Sequence, residues 1–467
     1  MGVFGALNAA VSGLSAQARA LENISGNIAN SATVGYKRLD TSFSDLVGGG
    51  KGAQPNQLAG TVSATSRATN GIQGDLQQSQ VDTYMGINGS GYFVVQSRAG
   101  EVDGRSIFTG NDLYTRRGDF EVDKEGRLVN GAGYYLMGQP IDPVTKNVSG
   151  SVPSIITIDT SVIPAVVTDR INYEGNLPTT PQTSTKLAGG SDTLDSSLTK
   201  ASTGVAPDGA PATHVVGANS ISADDEVTFL NSSIAGEAIT VYNANGTPVN
   251  VQMRWAKTFE DDGTQPDTWS LYYLADSQAT GTDDKWVKVS DAQFGANGRM
   301  TLPANDTMTM TGLNVDGQPV GNVTLSFGTN ALTQFADSNG SAKISKLIQN
   351  GYPAGDLTGV TVSEAGRLVA SYSNGRTREL YEISLVTFSG EAWLERVSGG
   401  AFEVTPESGE PIAGANGKII GKRLEASNTD IADEFSKLII TQQAYSANTR
   451  IVSSSDQMLK EAINMIR

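Results

Sequence analysis

Two residue types that carry much of protein chemistry are almost missing from this sequence. Its 467 residues include no cysteine and a single histidine, His214. Without cysteine there is no disulfide framework, and a zinc site of the Cys/His kind cannot be built. One imidazole also leaves little room for a catalytic triad or for histidine-based acid–base chemistry. His214 lies in a polar stretch, and we expect it to be a solvated loop residue.

Positive charge is also in deficit, with a formal net charge of -16 and an isoelectric point near 4.6. A polyanion of this kind is repelled by nucleic acid and by anionic lipid, so we expect neither as a partner. No apolar run approaches the ~18 residues that a membrane span needs, so no membrane insertion is expected. The first basic residue is Arg19. The N-terminus therefore lacks the basic region of a cleavable secretory signal, which predicts the cytoplasm or export by a route that does not read such signals.

The chain does contain enough apolar residues to bury real cores. Hydrophobic residues make up 38% of it, and 53 glycines bring the apolar share near the globular average. The length is about three times that of a typical domain, so more than one domain is expected. Polar, Gly/Ser/Thr-rich compositions predict a linker over residues 48–66 and a surface excursion over residues 179–211.

A heptad-like apolar pattern marks both ends of the chain. Apolar residues recur with alternating steps of three and four near the N-terminus, and seven apart near the C-terminus. Each pattern predicts a helix whose apolar stripe is covered by another helix. We expect Asn428 or Thr429 to cap the C-terminal helix, with Asp430 among the acidic residues near its positive end. The N-terminal stripe comprises Phe4, Leu7, Val11, Leu14, Ala18, Leu21 and Ile28, and the C-terminal stripe comprises Ile431, Phe435, Leu438, Tyr445, Val452, Leu459, Ile463 and Ile466.

Between the two ends the sequence is typical of β structure. Apolar residues alternate with other residues through 239–241 and again through 249–255, on either side of the turn sequence at 243–246. This arrangement predicts a β-hairpin. Alternation at 269–273 and at 323–327 predicts two further strands.

A Gly-Arg turn sequence occurs three times, starting at Gly126, Gly298 and Gly366. We expect each glycine to supply the positive φ of a hairpin turn. Repeated use of the same type of turn within a β protein is enough to explain why this sequence occurs three times.

Signatures of catalysis are missing: there is no G-x-x-x-x-G-K-[ST], no H-E-x-x-H and no G-x-S-x-G. The acidic run at 260–263 lacks the alternating ligands and distal Glu of a calcium loop, so we interpret it as a solvated turn. We therefore expect no catalytic residue, no metal and no cofactor.

The most specific signals are two long motifs at opposite ends of the chain. Residues 27–37 read NIANSATVGYK, and residues 424–448 begin LEASN and end QQAYSAN. Both resemble the ends shared by the bacterial flagellar rod and hook family. Gln443 departs from that pattern, since many relatives carry Arg there, and Tyr36 in place of Phe is a milder change. The residues that carry the resemblance are Asn27, Asn30, Thr33, Gly35, Tyr36, Lys37, Leu424, Glu425, Ser427, Asn428, Gln442, Tyr445 and Asn448.

Three interior blocks, at 89–95, 114–138 and 350–376, resemble the body domain of the same family. The large insert between the last two is similar to that of hook members and is absent from the shorter rod members. The resemblance implies a mainly β protein with terminal helices, built in nested fashion. The implied parts are a terminal helical core (1–36 and 426–467), connecting segments (37–88 and 400–425), a β-rich body (89–171 and 350–399) and an inserted β-rich outer domain (172–349).

The resemblance further implies a non-enzymatic subunit of a curved, flexible tube that transmits torque from the motor's rod to the filament. The two terminal stripes would then be subunit interfaces. Its implied partners are copies of itself, rod and hook–filament junction proteins, a hook cap and the flagellar type III export apparatus, with export to the extracellular hook and no signal cleavage. A distal rod or junction protein of the same family is one alternative, and a secreted β-rich glycan-acting enzyme using paired carboxylates is a remote one.

Overall fold

A computed structural model describes residues 3–46, 61–102, 105–150, 152–194, 198, 219–414 and 416–465. They form a mainly β protein with a long helix at each end, which confirms the expected fold class. The chain divides into a first unit, Met1–Ser161 with Leu357–Arg467, and a second unit, Val162–Asp356. His214, Ile466, most of the linker at 48–66 and much of the excursion at 179–211 lie outside the described residues.

The helices and strands follow in chain order. The α-helices are α1 Val3–Ala29, α2 Ser184–Leu187, α3 Glu226–Asn231 and α4 Ile431–Met465, with 3₁₀-helices at Glu391–Trp393 and Ser398–Gly400. The first unit begins with β1 Leu39–Leu46, β2 Thr61–Ala68, β3 Leu76–Gln78, β4 Met85–Asn88, β5 Tyr92–Val102, β6 Arg105–Phe108, β7 Leu113–Thr115, β8 Phe120–Val122, β9 Leu128–Asn130, β10 Tyr134–Pro140 and β11 Ser154–Ile155. The second unit holds β12 Arg170–Leu177, β13 Ser220–Ser222, β14 Ile234–Tyr242, β15 Pro248–Phe259, β16 Asp267–Leu274, β17 Asp284–Phe294, β18 Met300–Leu302, β19 Thr307–Val315, β20 Gln318–Ser326, β21 Leu332–Gln334 and β22 Lys343–Gln349. The first unit resumes with β23 Leu357–Val362, β24 Arg367–Tyr372, β25 Thr377–Glu382, β26 Leu385–Thr387, β27 Glu395–Val397, β28 Ala401–Glu403, β29 Ile412–Ala413, β30 Lys418–Gly421 and β31 Arg423–Glu425.

The main sheet of the first unit joins strands from both sides of the second unit's segment. Its main order is β23-β24-β25-β10-β5-β7-β28-β27, in which β10 pairs with β25. Strand β26 lies off this order and pairs with β5. Two smaller antiparallel pairs, β3 with β31 and β4 with β30, also join early and late parts of the chain. Aromatic rings fill the core, where Tyr92 and Tyr114 meet Phe388 edge to face. The first unit therefore folds only when residues far apart in sequence come together.

The second unit contains two sheets, with main orders β13-β17-β16-β15-β14 and β19-β20-β12-β21. The expected hairpin is present, because β14 and β15 pair antiparallel around a turn in which Gly246 has φ +78°. The strands expected at 269–273 and 323–327 correspond to β16 and β20, although Phe327 lies just past the end of β20. Trp255 and Trp269 are fully buried in the core of this unit.

The three echoed glycines have the positive φ that the sequence predicts, with values of +79° at Gly126, +72° at Gly298 and +74° at Gly366. The acidic run at 260–263 is an exposed turn in which Gly263 has φ +82°. No group of acidic or histidine residues suited to a metal ion occurs among the described residues. Of the helices described, none has both the length and the apolar character to cross a membrane.

The two long helices pack antiparallel, with Gly13 of α1 against Asn448 of α4 and Asn27 bonded to Glu434. The packed face differs from the predicted one. On α1 it is formed by small or polar residues such as Ala10, Ala16 and Ala20, and on α4 the buried residues are Glu434, Thr441 and Ser455. Small side chains let the two backbones approach closely, and the two apolar stripes are consequently left half-buried or exposed.

We expect Gly126→Ala to destabilise the first unit more than Gly375→Ala. Both glycines have φ between +74° and +79°, so alanine strains both by about 1–2 kcal/mol. A Cβ at Gly126 would also lie 2.3 Å from the carbonyl oxygen of Ile158, whereas one at Gly375 meets nothing within 4 Å. Overpacking should add about 1–3 kcal/mol at Gly126 alone. Urea unfolding measures the difference, and equal losses would contradict the packing at this turn.

Both units should lose stability between about pH 10 and pH 12. Burial raises the pKa of Tyr114 to about 12 and that of Tyr272 to about 12. Unfolded tyrosine ionises near pH 10, so above that pH the unfolded chain releases protons that the folded chain retains, and stability falls as pH rises. Tyr114→Phe should weaken this loss in the first unit and Tyr272→Phe in the second, as followed by hydrogen exchange across a pH series. An unchanged profile in both variants would contradict the assignment.

Candidate functional site

The two family-like motifs meet in the first unit, in a region that we call the terminal junction (residues 27–39 with 423–434). Asn27, near the end of α1, starts it. Its side chain accepts a hydrogen bond from the N–H of Leu39 and donates one to the Leu39 carbonyl, both at 2.9 Å. The same amide group donates to Oε2 of Glu434 at 3.0 Å. One buried amide therefore fixes the end of α1, the start of β1 and the first turn of α4.

The turn between α1 and β1 is held by the other N-terminal motif residues. The Asn30 side chain donates to the Gly26 carbonyl at 2.9 Å, and the Thr33 hydroxyl donates to the Asn30 side chain at 3.2 Å. Gly35 has φ +66°, and its N–H donates to the carbonyl of Glu425 at 2.8 Å. A Cβ at Gly35 would lie 2.8 Å from the backbone nitrogen of Arg117. Only glycine fits this close approach without strain.

Glu425 is the charged centre of the junction. Its carboxylate forms a short ion pair with Lys37 and a second ion pair, at 3.3 Å, with Arg116. The Glu425 and Lys37 side chains are 0% exposed and that of Arg116 is 1% exposed. The N–H of Gly74 donates to Oε1 of Glu425 at 2.9 Å, and the Lys37 ammonium donates to the Ile72 carbonyl at 2.6 Å. Two buried cations thus share one buried carboxylate.

Burial sets the electrostatics of this cluster. Removal from water lowers the pKa of Lys37 below its ordinary value, and the attraction of the Glu425 carboxylate acts in the opposite direction. The Arg116 guanidinium also lies over the Tyr92 ring, 5.2 Å from its centroid. Lys37 and Arg116 are both committed to the Glu425 carboxylate, and these three residues come from distant parts of the chain, so the geometry of the cluster suits joining chain segments.

The C-terminal motif completes the junction through Asn428. Its side chain accepts from the N–H of Arg38 at 2.7 Å and donates to the Thr69 hydroxyl at 3.1 Å, while its own N–H donates to the Tyr36 carbonyl at 3.2 Å. Next to it, the Ser427 hydroxyl accepts from the N–H of Thr429 at 3.2 Å. Leu424 lies opposite Gln77 in the β3–β31 pair.

The cap expected on α4 was placed on the wrong residue. Asp430 is the cap, since its carboxylate accepts from the N–H groups of Ala432 at 2.8 Å and Asp433 at 3.3 Å. Asn428 is not available because its side chain is bonded to Arg38 and Thr69.

The remaining motif residues lie along α4, away from the junction. Gln442, Gln443 and Tyr445 are exposed, and Asn448 is half-buried against Gly13. A Cβ at Gly13 would lie 2.8 Å from the Asn448 amide nitrogen, so this glycine makes room for the side chain. The exposure of Gln443 explains why its replacement of the usual Arg leaves the helix pair intact.

The sequence alone did not predict the roles of Glu434 within the terminal junction or of Arg116 and Arg396, which contact it from outside. The Arg396 guanidinium forms a short hydrogen bond to the Lys37 carbonyl and lies 5.4 Å from the Tyr36 ring centroid. Arg116 sits inside a block that resembles the body domain, but nothing in its local sequence marks it as buried. Sequence spacing cannot identify the partner of a charged residue when the two lie hundreds of positions apart.

Four family models match the chain in order. They are described as flagella basal body rod protein at residues 7–37, flagellar hook protein FlgE/F/G D1 domain at 86–177, flagellar basal body protein FlaE D2 domain at 211–352 and flagellar basal body rod FlgEFG protein C-terminal at 421–465.

Relatives match over the whole chain. Flagellar hook protein FlgE of Brucella suis is 29% identical over 474 residues and 100% of both chains. That of Salmonella typhimurium is 26% identical over 98% of both chains. The crystal structure of Helicobacter pylori flagellar hook protein FlgE2 covers 75% of this chain and 100% of its own, with a TM-score of 0.50 and 16% identity, and so shares the fold.

Paired terminal helices, a joined pair of end motifs and these matches define an axial protein of the bacterial flagellum. Within that class, the chain is similar over its whole length to flagellar hook proteins.

We expect Glu425→Gln to destabilise the first unit by about 3–5 kcal/mol, because it leaves two buried cations without a carboxylate. Lys37→Met should cost less, since Glu425 keeps Arg116 and the Gly74 N–H. Glu379→Gln is the matched control: it breaks a partly exposed ion pair with Arg367, worth about 0–1 kcal/mol. Hydrogen exchange along a urea series measures each variant. A Glu425→Gln loss no larger than that of Glu379→Gln would overturn the role given to this cluster.

Proposed function

We propose that this chain is the structural subunit of the flagellar hook and polymerises through α1 and α4 into a curved, flexible tube that carries torque from rod to filament. One observation carries the proposal: within a single copy, the buried faces of the two long helices consist mainly of small and polar residues, with Ile24 as an apolar exception, and the large apolar residues of the two stripes stay half-buried or exposed. Apolar residues at helical spacing on an uncovered face favour association with another helix.

The N-terminal stripe lies outward on α1. Leu7, Leu14 and Leu21 are half-buried, and Val11 is 51% exposed. The only charged side chains of α1, Arg19 and Glu22, form a pair with each other at 3.7 Å. The large side chains of the stripe itself are all apolar, and they gain from burial among other copies.

The C-terminal stripe is similarly uncovered on α4. Leu438, Val452 and Leu459 are half-buried, while Phe435 and Ile463 are 49% and 64% exposed. Ile431 and Tyr445, from the same stripe, are also exposed. Each large apolar side chain contributes about 1.5–3 kcal/mol when fully buried. Several per copy supply a strong driving force for assembly.

The nested arrangement expected from the sequence is part of the proposal. Residues 1–36 and 426–467 would form the helical core of the tube, and residues 37–88 and 400–425 would connect it to a body at 89–171 and 350–399. Residues 172–349 would form the outer domain. The net charge of -16 suits an outer surface in contact with water.

The alternatives have less support. A distal rod or junction protein of the same family is disfavoured because proteins named as hook proteins align with the entire chain. The family is a structural one, which accords with the expectation of a non-enzyme and leaves the glycan-acting alternative without support.

Full-length similarity to flagellar hook proteins supports a location in the bacterial flagellum. We propose the finer location and partners on the same basis: the extracellular hook, reached through the flagellar export apparatus, with a hook cap during assembly and rod and junction proteins at its two ends.

Purified, concentrated protein should form curved tubes in electron micrographs, and Leu14→Asp should abolish them by placing a charge in the N-terminal stripe. Gly5→Asp is the matched control: it adds the same charge to α1 at an exposed position that is not part of the stripe, where a Cβ meets nothing within 4 Å. It should leave assembly unchanged. Straight tubes from the wild-type chain would favour a rod protein, and absence of tubes would refute the proposal. Equal effects of the two variants would show that the stripe is not the interface.

A further inference from the structure

Helix α4 has a second exposed apolar stripe that the sequence analysis did not identify. Ile440 and Met458 are 66% and 56% exposed, and Ile451 and Met465 are also exposed. With Ala444 and Ala447, these residues follow one another in steps of three, four or seven, which keeps them on one side of a helix. The second C-terminal stripe therefore comprises Ile440, Ala444, Ala447, Ile451, Met458 and Met465.

This stripe is separate from the one already described. The line of α4 that faces α1 runs through Thr441, Asn448 and Ser455. At about 100° of rotation per residue, the C-terminal stripe lies roughly 60° to one side of that line, and the second C-terminal stripe lies roughly 100° to the other side. The opposite side of α4 carries exposed Ser446 and Arg450, and one exposed apolar residue, Ile439. One partner helix cannot cover both stripes, because α1 lies between them.

We propose that the second C-terminal stripe binds the N-terminal stripe of α1 in a second copy of this chain, an inference that rests on the proposed function. Its spacing requires a helix, and its length, from Ile440 to Met465, is about 38 Å. The N-terminal stripe, from Phe4 to Ile28, is about 36 Å long. Among the helices that the structure describes, only α1 and α4 are long enough, since α2 and α3 have 4 and 6 residues.

Charge distinguishes α1 from a second α4 as the occupant. The second C-terminal stripe passes Glu461, at the heptad position that follows Ser454. If α4 packed parallel and in register on a second α4 through this stripe, Glu461 of one copy would approach Glu461 of the other, which is unfavourable near apolar surface. The N-terminal stripe carries no charge. An uncharged partner avoids the repulsion.

Pairing of two different stripes makes the contact heterologous. Each copy offers its α4 stripe to one neighbour and its α1 stripe to another, so the contact repeats without limit, as a polymer requires. A contact of either stripe with itself would close after two copies.

Disulfide cross-linking in assembled tubes tests this pairing, and the chain's lack of cysteine gives a clean background. Val11→Cys chains, carrying a size tag, are mixed with untagged chains bearing either Ile451→Cys or Met458→Cys, polymerised with wild-type protein and oxidised. Because cysteines whose Cα atoms are more than about 7 Å apart cannot be bridged, we expect about tenfold more tagged–untagged dimer than dimer of either kind with itself. Gly5→Cys, at an exposed position of α1 that is not part of the stripe, replaces Val11→Cys as the control and should give no mixed dimer.

The outcomes separate this pairing from the proposed function. Mixed dimer with Val11→Cys and none with Gly5→Cys supports the pairing. Self-dimers of Ile451→Cys or Met458→Cys in place of mixed dimer would show that α4 packs on α4 and overturn it. Tubes without any cross-link would refute the pairing alone. If wild-type protein forms no tubes, the proposed function fails and the pairing fails with it.

Discussion

The buried carboxylate of Glu425 is the constraint on which the rest of the first unit depends. It lies on β31, just before α4, and its ion pairs reach Lys37, just after α1, and Arg116 of the body. The two long helices therefore leave the body from one shared point. Asn27 then bonds to Glu434 and sets their register, so that Gly13 meets Asn448 farther along. A buried charge needs charged partners. Here Glu425, Lys37 and Arg116 lie on the three chain segments that have to be joined.

The contacts that fold one copy are therefore different from the contacts proposed to join copies. The junction is polar and internal, whereas the large apolar residues of α1 and α4 point outward. Gly5, Gly13 and Gly26 each cost α1 about 1 kcal/mol of helix propensity relative to alanine. The face between the helices buries mainly alanine, serine and threonine and returns little of that cost. In the proposed polymer, burial of the outward stripes supplies the missing stability, and ordering of the helices accompanies assembly.

The features that sequence could predict are those with a local pattern. The hairpin around Gly246, the turn at Gly126 and the helices at both ends each have a spacing or a turn residue within a few positions. The junction has none, because Lys37 and Glu425 lie 388 positions apart. The cap of α4 shows the same limit: Asn428, Thr429 and Asp430 are all good caps, and only the tertiary bonds of Asn428 decide among them. Periodicity likewise located the apolar stripes but could not say that small residues would form the contact between α1 and α4.

The same division of forces bears on how a tube of such subunits could bend and still carry torque. A load on the body reaches α1 and α4 through the segments on either side of Lys37 and Glu425. Breaking that buried pair costs several times more than breaking an exposed one, so the junction resists deformation. In the proposed polymer, contacts between copies would be apolar along the helices and would involve many weak contacts with no fixed direction. Helices that slide slightly along such a stripe exchange one apolar neighbour for another at little cost. Bending of the tube should therefore occur at the contacts between copies. Within each copy, the junction should keep the body and the two helices rigidly connected.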